Sequence, residues 1–264
     1  MASEHLSDDM RIVRYSRESG LEMSEDPVVR EISLRIFVND CEIVALQSLP
    51  NEVRELAVGF LYTECILDKP DLIKDIRYKE GLHAVVVDTD EEITGAGVPT
   101  VRSITSGCGA GISFVNPRQS SLFGRIESQS SLRAESVNIL MRELLKASVL
   151  FSDTGGVHTA ALSDGSDLIH VSEDIGRHNC LDKIVGWMLL NADAVPRRKI
   201  ILSSGRLSSD IIAKSIRGGV EFLISHSAPT RGAVQLAQEF GITLIGFARG
   251  NRFNIYSNEE RILT

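Results

Sequence analysis

Three groups of residues in this 264-residue chain have the types and spacing to do chemistry. The first is a single thiol, Cys108, inside Thr105-Ser106-Gly107-Cys108-Gly109-Ala110-Gly111. Its small neighbours leave room for another molecule to reach the sulfur, and glycine permits close backbone approach. A passive cysteine in a glycine-rich turn is the competing reading, and the residues alone leave both open. The second group is three short segments: Ser203-Ser204-Gly205-Arg206, Ser225-His226-Ser227-Ala228-Pro229-Thr230 and Phe247-Ala248-Arg249-Gly250-Asn251-Arg252. Backbone N–H groups at helix starts, with Arg206, Arg249 and Arg252, suit a phosphate. Any one segment is better explained as a helix start with solvated arginines; three converging at one edge point to a phosphate-bearing small molecule such as a nucleotide. The third group is Asp153-Thr154-Gly155-Gly156-Val157-His158, with Glu173-Asp174-Ile175-Gly176-Arg177-His178-Asn179 and then Asp182-Lys183. A hydrogen-bonded cap with an internal Glu–Arg pair is the leading reading there, and catalysis the alternative. His158 without a partner is not assigned as a base.

Periodicity supplies the elements that must hold these groups. Ile32, Leu34, Ile36 and Val38 alternate with polar residues, a half-buried strand. Asn39-Asp40 turns it into a hairpin partner, Glu42 to Leu46. Leu49-Pro50-Asn51 opens a helix with Asn51 as its cap and Val53, Leu56, Phe60 and Leu61 on its apolar face. Ile76 to Tyr78 and Leu82 to Asp88 are further strands, while residues 1 to about 30 are polar and read as a frayed start. Residues 116–131, with Pro117 and many serines, read as a linker. A helix from about Ala134 to Val149 follows, with Val137, Leu140, Met141, Leu144 and Leu145 on its stripe. Val157 to Leu162 and Leu168 to Ser172 form a hairpin, and Asn179 to Leu190 a helix. The remainder alternates strand, helix, strand, helix, strand: Lys199–Ser203, Ser208–Arg217, Glu221–Ser225, Pro229–Phe240 closed by Gly241, and Ile242–Phe247. That order requires right-handed crossovers and a parallel core, so the three segments of the second group emerge together at the strands' carboxyl ends.

Composition narrows the function classes. With a formal charge of -8 and a pI near 5.3, the surface repels bulk nucleic acid and anionic membrane. No apolar run reaches the ~20 residues of a membrane span, and the polar, acidic N-terminus has no signal-peptide core. Cys41, Cys65, Cys108 and Cys180 follow neither a disulfide framework nor a zinc pattern, so a reducing cytoplasm and no structural metal are expected.

Several strings, in order, resemble the formate dehydrogenase accessory sulfurtransferases of the FdhD/NarQ family. They are Gly59-Phe60-Leu61-Tyr62-Thr63-Glu64, Gly155-Gly156-Val157-His158-Thr159-Ala160-Ala161, Glu173 to Asn179, Ser204-Gly205-Arg206, Ser225 to Thr230 and Gly246-Phe247-Ala248-Arg249-Gly250. The likeness runs from about residue 30 to the C-terminus. It implies a protein that takes persulfide sulfur from a cysteine desulfurase onto Cys108. The sulfur then passes to the molybdenum cofactor, in its bis-guanine-dinucleotide form, for formate dehydrogenase. It implies a mainly-β N-terminal domain (1–125) and a cytidine-deaminase-like α/β/α domain (126–264) with a mixed, largely parallel sheet. Members are commonly dimers, so a homodimer is expected. The cofactor-binding segment falls on Phe247, Ala248, Arg249, Gly250, Asn251 and Arg252. Arg206, Ser227, Thr230, His158, Arg177 and His178 are added to that set. One departure stands out: many relatives carry Cys-x-x-Cys in the loop, and here Gly111 occupies the second position. A dithiol mechanism, in which a second thiol expels sulfide, is therefore in doubt, whereas single-thiol relay is not. The alternative is a non-covalent cofactor-binding chaperone in which Cys108 is chemically idle. A zinc deaminase, suggested by fold analogy alone, lacks both the His-x-Glu and the Pro-Cys-x-x-Cys that it needs.

Overall fold

The computed structural model describes residues 6–90, 102–104 and 124–264. The Thr105–Gly111 segment with Cys108, and the linker up to residue 123, lie outside the described residues. Residues read as a frayed start instead form an antiparallel ribbon of β1 (Ser7–Ser16) and β2 (Gly20–Val29). The polarity that suggested fraying reflects a ribbon exposed along most of its length.

A five-stranded sheet follows, built from β3 (Ile32–Val38), β4 (Cys41–Ser48), β5 (Ile73–Lys79), β6 (Ala84–Thr89) and β7 (Arg102–Ile104) in the order β5-β6-β3-β4-β7. The alternation in β3 does what was expected of it: Leu34, Ile36 and Val38 are buried against α1 (Val53–Thr63). Asn39 takes the left-handed turn conformation, φ 51°, that asparagine tolerates. Asn51 is not the cap of α1. The capping position is Glu52, whose side chain bonds to no backbone N–H of the helix; the Asn51 amide oxygen accepts from Lys183 Nζ at 3.0 Å.

The second sheet starts beyond the short β8 (Leu132–Arg133), α2 (Ala134–Ala147) and α3 (Val149–Thr154). Strands β9 (His158–Ser163) and β10 (Leu168–Asp174) form the expected hairpin, and α4 (Arg177–Leu190) leads on. Then come β11 (Ile200–Ser203), α5 (Ser209–Arg217), β12 (Phe222–Ser225), α6 (Arg231–Phe240), β13 (Thr243–Arg249), β14 (Arg252–Ile255) and β15 (Ile262–Leu263). The sheet order is β10-β9-β11-β12-β13-β14. Strands β11, β12 and β13 are parallel, but the pairings of β10 with β9, β9 with β11 and β13 with β14 are antiparallel. The sheet is therefore mixed and not largely parallel: a hairpin closes each flank of a three-stranded parallel centre. Helices α4, α5 and α6 cover one face, and α2 covers the other. Leu145 departs from the stripe read for α2, being 48% exposed while Val137, Leu140, Met141 and Leu144 are buried. Among the described residues, no helix is long and apolar enough to cross a membrane.

The two sheets meet where α1 crosses α4. A Cβ on Gly59 would lie 1.8 Å from the Asp182 carbonyl oxygen, and one on Gly186 would lie 1.8 Å from that of Glu55. Only glycine permits that approach. The same seam buries an ion cluster: Lys214 Nζ is 2.9 Å from both Asp182 carboxylate oxygens, 2.8 Å from Glu64 Oε1 and 2.9 Å from Thr63 Oγ1.

Candidate functional site

The parallel centre delivers the ends of β11, β12 and β13 to one edge, where serine hydroxyls fix the first two and a guanidinium fixes the third. Ser204 Oγ accepts from the Thr159 N–H at 3.0 Å and lies 3.3 Å from His158 Nδ1. Ser225 Oγ donates to the Gly205 carbonyl at 2.7 Å and accepts from the Ser227 N–H at 2.9 Å. Gly205 is obligatory, since a Cβ there would lie 2.8 Å from Arg177 Cβ. Phe247 takes φ 53° at an irregularity near the end of β13, and the turn beyond the strand passes through Gly250 at φ 58°. Arg249 Nε donates to the His226 carbonyl at 2.8 Å, which ties the β12 end to the β13–β14 hairpin.

Two adjoining cavities open at this edge beneath α2. One, of about 320 Å3, is lined by His158, Thr159, Ser204, Gly155, Gly156 and Phe151 among others. The other, of about 200 Å3, is lined by Asn138, Met141, Arg142, Ala248, Arg249 and Gly250. Leu145 and His226 line both. That is why Leu145 leaves the apolar stripe of α2. His226 Nδ1 and Asn138 Oδ1 are buried there with no hydrogen-bond partner. Such atoms carry a desolvation cost that a ligand would relieve. Burial, then the charges of Arg177 and Arg206, lowers the His158 pKa, so its imidazole is neutral near pH 7.

The residues expected at the site separate into two sets. His158, Ala248, Arg249 and Gly250 line the cavities. Phe247 in β13, Asn251 in the turn and Arg252 at the start of β14 are exposed at the tip of this hairpin, where Arg252 lies opposite Arg249 in register. Arg206 is exposed, close enough to His158 to lower its pKa. The loops after β11 and β12 bond to each other, Leu207 N–H to the Ala228 carbonyl and Thr230 N–H to that of Leu207. Neither helix start that follows lines either cavity, against the expectation that they would present an anion site. Thr230 Oγ1 accepts from the Ala233 N–H at 3.3 Å and so caps α6. Ser227 contributes backbone, its carbonyl accepting from the Phe247 N–H. His178 is largely buried on α4, and burial followed by the Arg177 charge pushes its pKa down to about 3.

The Glu173–Asn179 string is mainly structural. The Glu173 carboxylate accepts from the Leu150 and Phe151 N–H groups, at 3.1 and 2.9 Å, and so caps α3. Asp174 pairs with Lys183 at 2.8 Å with both side chains fully buried, and also accepts from the Leu49 N–H and the Asn179 amide. His226, Asn138 and Arg142 are cavity residues that sequence reasoning did not select. His226 was visible within its segment; α2 read only as a core helix. Among the described residues, no cluster of three or more His, Cys, Asp or Glu side chains could hold a metal ion.

Comparison with known proteins finds relatives along almost the whole chain. Residues 29–263 match the model of the FdhD/NarQ family. A sulfur carrier protein FdhD of Bacillus subtilis is 41% identical over 239 residues, covering 90% of this chain and 91% of that one. One from Staphylococcus haemolyticus is 38% identical over 252 residues, covering 95% of each. A crystal structure described as a formate dehydrogenase accessory protein from Desulfotalea psychrophila superposes with a TM-score of 0.81 at 26% identity, covering 98% of this chain and all of that one. From its length of match and the identity of its relatives, the chain belongs to the FdhD/NarQ family.

Proposed function

We propose that the protein is a sulfur carrier that loads Cys108 as a persulfide and presents it to the guanine-dinucleotide molybdenum cofactor, its substrate, at the strand-end cleft. The observation that carries this reading is the heading of β7. This strand pairs in parallel with β4, Ile104 opposite Leu46. Further along β4, Gln47 and Leu49 bond to Asn179 and Asp174, and Asp174 pairs with His158 at the cleft. The strand that precedes Cys108 thus runs towards the cleft, and the four residues from Ile104 to Cys108 span at most about 14 Å. In the loading step the Cys108 thiolate attacks the terminal sulfur of a cysteine desulfurase persulfide. The donor S–S bond breaks, a new one forms on Cys108, and the donor leaves as its own thiolate, with no net oxidation. His226, Asn138, Arg142 and Arg249 would hold the nucleotide end of the substrate through hydrogen bonds and positive charge. Residues 126–264 then form the substrate domain, with cytidine-deaminase-like layering, and residues 1–125 supply the carrier strand. Formate dehydrogenase is the recipient.

The test is activation of formate dehydrogenase in cells whose own copy is replaced by Cys108→Ala. Loss of activity with normal protein level and retained guanine-nucleotide binding supports carriage on Cys108. Activity near wild type supports the non-covalent chaperone instead.

A further inference from the structure

Three polar side chains of β10 and α4 reach across to the end of β4. The Asn179 amide donates to the Gln47 carbonyl at 2.8 Å. The Leu49 N–H donates to the Asp174 carboxylate at 3.2 Å. Lys183 Nζ donates to the Asn51 amide oxygen at 3.0 Å. The three also bind one another, since Asp174 pairs with Lys183 at 2.8 Å and accepts from Asn179 at 2.8 Å. Lys183 makes a further bond to the Glu173 carbonyl at 3.0 Å. Asn179 is buried, and the Asp174 and Lys183 side chains are fully so.

Two features set this clamp apart from a simple joint. First, the α1–α4 seam, with its glycine contacts and Lys214 cluster, already joins the two sheets. A second buried ion pair adds a desolvation cost that cohesion alone does not require. Apolar packing would hold the sheets together, whereas bonds at Gln47, Leu49 and Asn51 also fix how far β4 can slide. Second, the clamp lies between the two parts that must meet. Its grip begins just past Leu46, opposite which β7 reaches Ile104. On its other side, Asp174 lies opposite His158 in the β9–β10 pairing, and Glu173 caps α3, whose Phe151 lines the cleft.

We propose that Asn179, Asp174 and Lys183 are positioning residues, which set the distance between the strand leading to Cys108 and the cleft that holds the sulfur acceptor. The assignment rests on the sulfur-carrier reading. Transfer brings two reacting atoms to about 3–3.5 Å, and a misplacement of about 1 Å costs on the order of a hundredfold in rate. Loading makes no such demand on the clamp, because the donor persulfide arrives on a separate protein and the cleft takes no part. The clamp therefore bears on the second half of the sulfur's journey and not on the first.

The test breaks the clamp from either side, with Asn51→Ala and Asn179→Ala in the full-length protein, and reads three quantities. The first is persulfide on Cys108 after incubation with a cysteine desulfurase and cysteine, by mass spectrometry. The second is affinity for a guanine nucleotide, by titration calorimetry. The third is activation of formate dehydrogenase in cells whose own copy is replaced, at matched protein level. Both variants load Cys108 and bind nucleotide within about twofold of the wild type, while activation falls about tenfold or more. Asn51→Asp, which keeps an oxygen for Lys183, retains activation. Unchanged activation in both alanine variants would overturn the proposal. So would loading and nucleotide affinity that fall in parallel with activation, since that pattern marks a damaged fold and not a misplaced strand. A wild type that carries no sulfur on Cys108 would overturn the sulfur-carrier reading itself, and this assignment with it.

Discussion

At the α1–α4 seam, Lys214, Asp182, Glu64 and Thr63 satisfy one another within 2.9 Å, whereas at the strand-end cleft His226 Nδ1 and Asn138 Oδ1 are buried without partners. Both regions are built from charged, imidazole and amide side chains. The seam spends them on joining two sheets, and the cleft leaves them facing space. Residue type alone therefore does not separate framework from site. What distinguishes these two regions is that the seam's groups bond to one another, whereas two unsatisfied atoms line one shared cavity, and a buried polar group is costly until something bonds to it.

The strongest way to break this distinction is Lys214→Met. It would leave two buried carboxylates facing each other and should cost about 3–5 kcal/mol of stability, read from the urea midpoint. Burial pushes the Asp182 carboxyl up to about 6, and the Asp182 and Glu64 carboxylates share the one Lys214 ammonium. A loss under about 1 kcal/mol would mean that the cluster is not the joint described here.

His178 sharpens the comparison through pH. Its folded pKa near 3 lies well below the roughly 6.5 of an unfolded histidine, so the unfolded chain binds the proton more readily. The stability it contributes is present above about pH 6.5 and is lost as pH falls towards 3. Asp182 acts in the opposite sense, since a carboxyl raised to about 6 makes stability fall as pH rises from about 4 to 6. His178→Asn isolates the histidine: between pH 7 and pH 5 it should lose about 2 kcal/mol less stability than the wild type. Equal pH profiles would place His178 in a solvated setting.

At the cleft the prediction reverses. His226→Ala should change stability by less than about 1 kcal/mol but weaken binding of a guanine nucleotide about tenfold by titration calorimetry, the worth of one hydrogen bond to a charged ligand. Unchanged affinity would remove His226 from the ligand's contacts. The smallest effect belongs to Thr230→Ala, which should cost about 1 kcal/mol as a lost helix cap and leave nucleotide affinity untouched. Lost affinity would return Thr230 to the site.

Sequence periodicity revealed most of the framework, because strands β3, β9 and β11–β13 and helices α1, α2 and α4–α6 bury regular apolar faces. It missed the β1–β2 ribbon, whose apolar residues are mostly uncovered in the single chain. It also missed α3, a single short turn capped from a distance by Glu173. At the site, the shared edge of the strand ends followed from the parallel order of elements. What could not be read was which polar residues satisfy one another across the fold. Thr230, Asp174 and Asp182 found partners, and His226, embedded in the same string as Thr230, did not. Arg142 and Asn138 escaped notice because a helix with a strong apolar stripe gives no sign of what its other face overhangs.

The central claim is that sulfur travels on one thiol out of four. Of the other three, Cys41 is exposed, Cys65 half-buried and Cys180 buried. Burial raises the Cys65 and Cys180 thiol pKa values, which keeps both sulfurs protonated and slow. Site-resolved mass spectrometry after incubation with a cysteine desulfurase and cysteine tests the claim directly. One extra sulfur atom on Cys108, with Cys41, Cys65 and Cys180 unmodified, is the predicted result; an unmodified Cys108, or the added sulfur on another cysteine, would contradict it.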